Sequence, residues 1–240
     1  MDLQLKGKTV LVTGGSRGIG FACAKSFAAE GCRVHIASRN KDNLEKAKSQ
    51  LDVAIHVADL RDGNALKALA RDCGDVDILV NNAGDIPGGT LEALDEAKWR
   101  HAWELKVFGY VNLTREIYTR MKARQHGVIV NIIGMAAENP TFEYICGSTA
   151  NAGLAAFTKS LGKGSPKDGI RVVGIHPPST RTDRIVTLMK AQAKSKFGDE
   201  SRYEELIGNV IEPGQVADTA VFLASARAGQ LSGVVLNLGA

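Results

Sequence analysis

What most narrows the fold of this chain is a rhythm. Seven short runs rich in β-branched residues recur between longer amphipathic stretches: Thr9-Val-Leu-Val12, Arg33-Val-His-Ile-Ala37, Val53-Ala-Ile-His-Val57, Asp77-Ile-Leu-Val80, Val128-Ile-Val-Asn-Ile-Ile133, Arg171-Val-Val-Gly-Ile175 and Val234-Val-Leu-Asn-Leu238. The runs are apolar almost throughout. They lack the in-out alternation of a half-exposed strand, so they read as parallel strands covered on both faces. Helical patterns lie between them, including a long one over about residues 95–124 and another over about 147–163. Strands alternating with helices predict an α/β fold, a doubly wound seven-stranded parallel sheet with helices on both faces. With 240 residues and no repeat or low-complexity linker, one domain over 1–240 is expected.

The first strand runs into Thr13-Gly-Gly-Ser-Arg-Gly-Ile-Gly20, followed by the helical run Phe21-Ala-Cys-Ala-Lys-Ser-Phe27. Glycines at 14, 18 and 20 permit a tight turn, approach of backbone N–H groups to a pyrophosphate, and close packing of helix on strand. A glycine-rich loop alone says little. Here a strand precedes it and a helix follows, which makes it a dinucleotide loop rather than a plain turn. Gly14, Ser16, Arg17, Gly18, Ile19 and Gly20 are the candidate phosphate-side residues.

The second strand bears on which dinucleotide. A site for NAD usually carries an acidic residue near its end to accept from the ribose 2′-OH. This strand closes Ile36-Ala-Ser-Arg39, so Ser38 stands where the acid is expected. No carboxylate at that position repels a 2′-phosphate, and Arg39 with Arg17 supplies two guanidiniums suited to phosphate oxygens. Either arginine alone also reads as a surface charge; the pair, with the acid missing, favours NADP(H).

Taken together, these features resemble the short-chain dehydrogenase/reductase family over nearly the whole chain. The resemblance rests on Thr13-Gly14-x-x-x-Gly18-Ile19-Gly20, Asp59-Leu60 after the third strand, Asn81-Asn82-Ala83-Gly84 after the fourth, and a Pro177 turn with Thr182 after the sixth. It implies that Asp59 and Leu60 flank the adenine, that Asn82, Ala83 and Gly84 line the ribose side, and that Thr182 contacts the nicotinamide carboxamide. It also implies pairing of the fourth and fifth helices between subunits, hence a homodimer or homotetramer. Two departures stand out. The family's Pro-Gly is Pro177-Pro178 here, which restricts the turn, and the end Asn237-Leu-Gly-Ala240 lacks the usual Asp-Gly-Gly.

The catalytic positions depart further. The family pattern has Tyr-x-x-x-Lys at the start of the fifth helix, a Ser thirteen residues earlier and an Asn in the fourth helix. The Tyr transfers the proton, the Lys lowers its pKa and holds the ribose, the Ser positions the substrate oxygen, and the Asn anchors a water relay. The family's Thr-Lys-x-Leu falls on Thr158-Lys159-Ser160-Leu161, which puts the Tyr position on Gly147, the Lys position on Asn151 and the Ser position on Gly134. The Asn position falls on Lys106. All four are substituted, and shifting the register to Tyr144 finds Ser148 and Asn131 in place of the partners. Lys106 and Asn151 read as a reciprocal exchange of cation and amide between neighbouring helices, and Tyr144 as a phenol one turn before Gly147. Lys106, Tyr144 and Asn151 are therefore the candidate catalytic residues. The plainer readings are a solvated or interhelical lysine and a packing aromatic under the lid. His176, before the proline turn, reads as a hydrogen-bonded structural histidine.

Residues 183–212 break the strand-helix rhythm with a polar stretch carrying Lys190, Lys194 and Lys196. It is either a lid over a small-molecule substrate, on the side where open α/β sheets bind ligands, or a solvated helical excursion. The formal net charge of +4 is spread without a basic block, so no nucleic-acid partner is expected. Cys23, Cys32, Cys73 and Cys146 show no paired spacing of the metal or redox kind, so no metal is expected. With no apolar signal core near the start and no run of membrane length, the expectation is a cytoplasmic protein away from membranes. Two functions fit. One is an NADP(H)-dependent oxidoreductase acting on a carbonyl or secondary alcohol through a rearranged site, and the other is a non-catalytic NADP(H)-binding sensor or scaffold.

Overall fold

The computed structural model describes residues 1–207 and 210–239. Seven strands form one parallel sheet: β1 (Thr9–Thr13), β2 (Arg33–Ser38), β3 (Ala54–Val57), β4 (Ile78–Asn81), β5 (Gly127–Ile132), β6 (Ile170–His176) and β7 (Val235–Asn237). Their order across the sheet is β3-β2-β1-β4-β5-β6-β7. The order reverses between β1 and β4, so the loops after these strands part and leave a crevice at their C-terminal ends. Each strand lies within a few residues of its sequence expectation, although Val53, Asp77, Ile133, Val234 and Leu238 fall outside and β6 runs on to His176.

Side chains of β1 explain the two layers. Val10 and Val12 join Phe27 and Ile36 under α1 (Gly18–Ala29), α2 (Lys41–Lys48) and the C-terminal helix, while Leu11 turns the other way to meet Leu66 of α3 (Gly63–Asp72) and Leu113. Successive side chains leave a strand on opposite faces, so only an unbroken apolar run satisfies both layers. Each such Val, Leu or Phe stabilises the fold by roughly 1.5–3 kcal/mol through burial. Helix starts follow the local chemistry: Asn40 accepts from Asn43 N–H at the start of α2, and Asp62 accepts from Asn64 and Ala65 N–H at the start of α3.

The long helical segment expected over 95–124 is not one regular helix. Asp95 caps α4 (Glu96–Trp103), a π-helical turn follows over Glu104–Phe108, and α5 (Gly109–Arg124) continues from it. The following helix, α6 (Ile145–Gly164), begins two residues before the expected Gly147. Residues 183–212 hold α7 (Asp183–Phe197), a 3-10 turn (Glu200–Tyr203) and α8 (Glu204–Ile207); 208 and 209 lie outside the described residues. This excursion leaves and returns through a parallel bridge of Thr180 with Ile211, after which α9 (Pro213–Ala224) packs on α1. No helix among the described residues is long and apolar enough to cross a membrane.

Candidate active site and dinucleotide cleft

The C-terminal ends of the strands open on a cleft of about 300 Å³. Of the candidate cofactor residues, Gly14, Ser16, Arg17, Gly18, Ile19, Ser38, Arg39, Asp59, Leu60, Asn82, Ala83, Gly84 and Thr182 line it. Gly20 does not. A Cβ there would stand 2.2 Å from the Gly14 carbonyl oxygen and 2.5 Å from Asn82 Nδ2, so Gly20 serves the close packing of α1 on the loop.

Thr13 organises the floor. Its hydroxyl oxygen accepts from the N–H groups of Asn82 and Ala83 at 2.9 and 3.1 Å, and Asn82 Nδ2 donates back to the Thr13 carbonyl oxygen at 3.0 Å. The β1 and β4 loops are thereby tied across the crevice. Arg17 stands at the N-cap of α1 without a side-chain capping bond, unlike Asn40, Asp62 and Asp95 on the next three helices. The first turn of α1 thus keeps its N–H groups and its positive dipole end for an anion in the cleft. Arg39 is exposed and pairs with Asp85 at 3.2 Å, while Arg61 grips Asp59 and holds its carboxyl below the usual carboxylate range. Arg61 also bonds His101. Neither Asp85 nor this Arg61–His101 contact was visible in sequence, because each joins segments about 40 residues apart. This cradle of glycine loop, uncapped helix terminus and paired loops fits a nicotinamide dinucleotide.

Of the four substituted positions, Lys106 lines the other end of the cleft, whereas Gly134, Gly147 and Asn151 do not. Lys106, in the π-helical turn, lays its aliphatic chain against Gly84, where a Cβ would stand 2.9 Å from Lys106 Cδ, and its Nζ donates to the Ile133 carbonyl oxygen at 2.6 Å. Tyr144 is the N-cap residue of α6, with φ −135° and ψ 31°, and lines the cleft alongside Lys106. Its ring lies over Gly147: a Cβ at 147 would stand 2.1 Å from both Cε1 and Cζ and 2.6 Å from the phenol oxygen. A glycine is the only residue that leaves room for this ring.

Asn151 behaves differently from the expectation. Its side chain is buried beneath Gly134, with Nδ2 2.7 Å from the place of a Cβ there, and it does not line the cleft. The reason is steric, since the missing serine side chain at 134, a residue at φ +136°, leaves space that the amide fills. Lys106 and Asn151 do reach the same dipeptide, Ile133–Gly134. His176 is fully buried with its Nε2 3.4 Å from Glu138 Oε1, and burial pushes it below the ordinary histidine range. The Gly134 backbone and the Glu138 carboxylate are its polar neighbours.

Behind the site, Asn81 Nδ2 donates to Asn131 Oδ1 and Thr114 Oγ1, and Asn131 Nδ2 donates to Thr158 Oγ1. This buried polar ladder joins β4, β5, α5 and α6, fixing the helices that carry Lys106 and Tyr144 relative to the sheet.

Known proteins share this fold. The chain matches the family model for short chain dehydrogenase over residues 8–193. It is 30% identical to 7alpha-hydroxysteroid dehydrogenase of Escherichia coli (strain K12), covering 99% of this chain and 94% of that protein. Among solved structures it superposes on L-sorbose reductase from Gluconobacter frateurii complexed with NADPH and L-sorbose, with a TM-score of 0.92, 30% identity and coverage of 99% and 97%. A 7 alpha-hydroxysteroid dehydrogenase complexed with NADH and 7-oxo glycochenodeoxycholic acid matches at a TM-score of 0.85 and 28% identity, covering 99% and 94%. On this fold, cleft and extent of similarity, the chain belongs to the short-chain dehydrogenase family of oxidoreductases.

Proposed function

We propose that the protein is an NADP(H)-dependent oxidoreductase that interconverts a carbonyl and a secondary alcohol, with Tyr144 as its proton-transferring group and Lys106 as the cation beside it. The observation that carries this reading is the Tyr144 ring seated over Gly147. At the position where the family pattern has its tyrosine, a phenol is still present, delivered from the N-cap of α6 rather than from within the helix. Lys106 supplies the ammonium that the family pattern draws from position 151, now from the π-helical turn.

The bound cofactor supplies or takes the hydride. Tyr144 gives its hydroxyl proton to the carbonyl oxygen in reduction and takes it back in oxidation, while the Lys106 ammonium favours the phenolate left behind. Arg17, Arg39 and the first turn of α1 hold phosphate oxygens, and Ser38 puts no carboxylate at the end of β2. Residues 183–212 act as the lid, and the substrate is a small carbonyl or alcohol beneath it.

The test is NADPH oxidation against a panel of ketones and aldehydes, with NADPH affinity followed by fluorescence. Tyr144→Phe is expected to lower kcat by about 100-fold or more, as loss of a general acid does, with NADPH affinity essentially unchanged. Lys106→Met is expected to lower kcat as well. Tight NADPH binding without turnover of any carbonyl by the unaltered protein favours the sensor or scaffold reading instead.

A further inference from the structure

Two histidines and a cysteine that take no part in the cleft converge at the β2–β3 edge of the sheet. His35 of β2 pairs with Ala54, and His56 of β3 pairs with Ala37, so the two histidines are diagonal neighbours on the face covered by α3. Cys73 is the C-cap residue of α3 and reaches the same point from above. His35 Nδ1 lies 2.9 Å from His56 Nε2, and Cys73 Sγ lies 3.6 Å from that same Nε2. The three donor atoms all lie within 4.8 Å of one another. The imidazole rings are nearly parallel at 15°, both are half-buried, and Cys73 is buried.

We propose that His35, His56 and Cys73 form a binding site for a zinc-type divalent ion, with a fourth coordination position open to water. Tetrahedral zinc with Zn–N of about 2.0–2.1 Å and Zn–S of about 2.3 Å sets its nitrogen and sulfur ligands about 3.6 Å apart and its nitrogens about 3.3 Å apart. The sulfur already stands at that separation from His56 Nε2; the two imidazole nitrogens need to part by a few tenths of an ångström, and the sulfur lies within 4.8 Å of His35 Nδ1, a gap that rotation of the Cys73 side chain can close. Two imidazoles and a thiolate form a donor set that suits zinc and disfavours magnesium or calcium. The partial exposure of the two imidazoles leaves a path for the ion and for the water.

Burial lowers both histidines, which favours the neutral rings that a cation needs. Burial, assisted by Asp72, pushes the Cys73 thiol up to about 12, so loading requires the ion to displace the thiol proton. The Zn–S bond forms as the S–H bond breaks, one proton leaves to solvent, and no redox change occurs. The spacing of 35, 56 and 73 carries no sequence motif, because the three residues come from three separate elements.

The experiment is a titration of the full chain with Co²⁺, followed by displacement with Zn²⁺, in wild type, Cys73→Ser and His35→Gln, with Cys32→Ser as control because Cys32 is a free thiol that is only half-buried. Wild type is expected to bind one ion with a thiolate-to-cobalt charge-transfer band and to release about one proton per ion. Cys73→Ser is expected to abolish the band and weaken zinc at least 100-fold, His35→Gln to keep the band and weaken zinc at least tenfold, and Cys32→Ser to change neither. X-ray absorption on zinc-loaded wild type, which needs no variant to fold, is expected to show two nitrogen ligands and one sulfur. A band that survives Cys73→Ser, zinc affinity unchanged in His35→Gln, or absorption without sulfur overturns the site and leaves a hydrogen-bonded core cluster.

Discussion

At the scale of single residues, two glycines of α6 separate space from propensity. In Gly147→Ala the added methyl would stand 2.1 Å from two ring atoms of Tyr144, whereas at Gly153 nothing lies within 4 Å. Gly147→Ala is therefore expected to cost about 1–3 kcal/mol through overpacking and to evict the phenol from the cleft, so that melting temperature and kcat fall together. Gly153→Ala, exposed on the same helix, is expected to stabilise by up to about 1 kcal/mol and leave kcat unchanged. Thermal denaturation alongside the carbonyl assay reads both, and equal behaviour of the two variants contradicts the seating of Tyr144 over Gly147. Arg39 carries the cofactor prediction. Its bond to Asp85 joins side chains that are 48% and 60% exposed, a class of ion pair worth only about 0–1 kcal/mol, so a 2′-phosphate displaces Asp85 at little cost. NADPH is expected to bind at least tenfold tighter than NADH, a difference of about 1.4 kcal/mol. Arg39→Ala should erase most of that preference in a calorimetric titration; equal affinities for the two cofactors in the unaltered protein sink it.

At the scale of elements, the excursion between β6 and α9 is closed at its base by one side chain. Arg181 pairs with Glu204 at 3.2 Å and with Glu212 at 3.1 Å, while the backbone bridge of Thr180 with Ile211 holds the two ends together. Both ion pairs are surface contacts, so Arg181→Ala is expected to change global stability by less than about 1 kcal/mol. If residues 183–212 are a lid, the same change should raise KM severalfold and quicken limited proteolysis within 183–207. Unchanged KM and cleavage would make the excursion a fixed part of the fold. Elements also differ in how legible they were in the sequence. The strands stood out because burial on both faces demands unbroken apolar runs, and the glycine loop because no other residue permits the contacts of Gly20. The π-helical turn did not, since Glu104–Phe108 keeps the helical apolar pattern and the turn is defined by hydrogen bonds that side-chain period does not record. Tyr144 was legible as a candidate, but the reach of its ring depends on a non-helical N-cap conformation. Asn151 misled because its amide fills the volume left by Gly134, a steric fact about two residues 17 positions apart.

At the scale of the whole molecule, the outer faces of α5 and α6 leave a shallow hollow lined by Val111, Thr114, Arg115, Tyr118, Thr119, Phe157 and Leu161. Tyr118 is held there by a 2.6 Å bond from its hydroxyl to Asp168, which Lys122 also pairs at 3.2 Å, so the ring is presented with little freedom left to lose on association. The family pattern pairs these two helices between subunits, and a hollow on each copy facing the helices of the other is the self-complementary geometry of a two-fold interface. A stable interface of this kind buries upwards of about 1,000 Å² in total, an area that two sixteen- and twenty-residue helices from each subunit are long enough to supply. The protein is therefore expected to be a homodimer, or a homotetramer built from such dimers. A carboxylate placed at the centre of the hollow would be buried without a partner, so Phe157→Asp should shift the molecular mass in light scattering at micromolar concentration towards the monomer. An unaltered protein that is already monomeric under those conditions, or an assembly indifferent to Phe157→Asp, places the interface elsewhere or removes it.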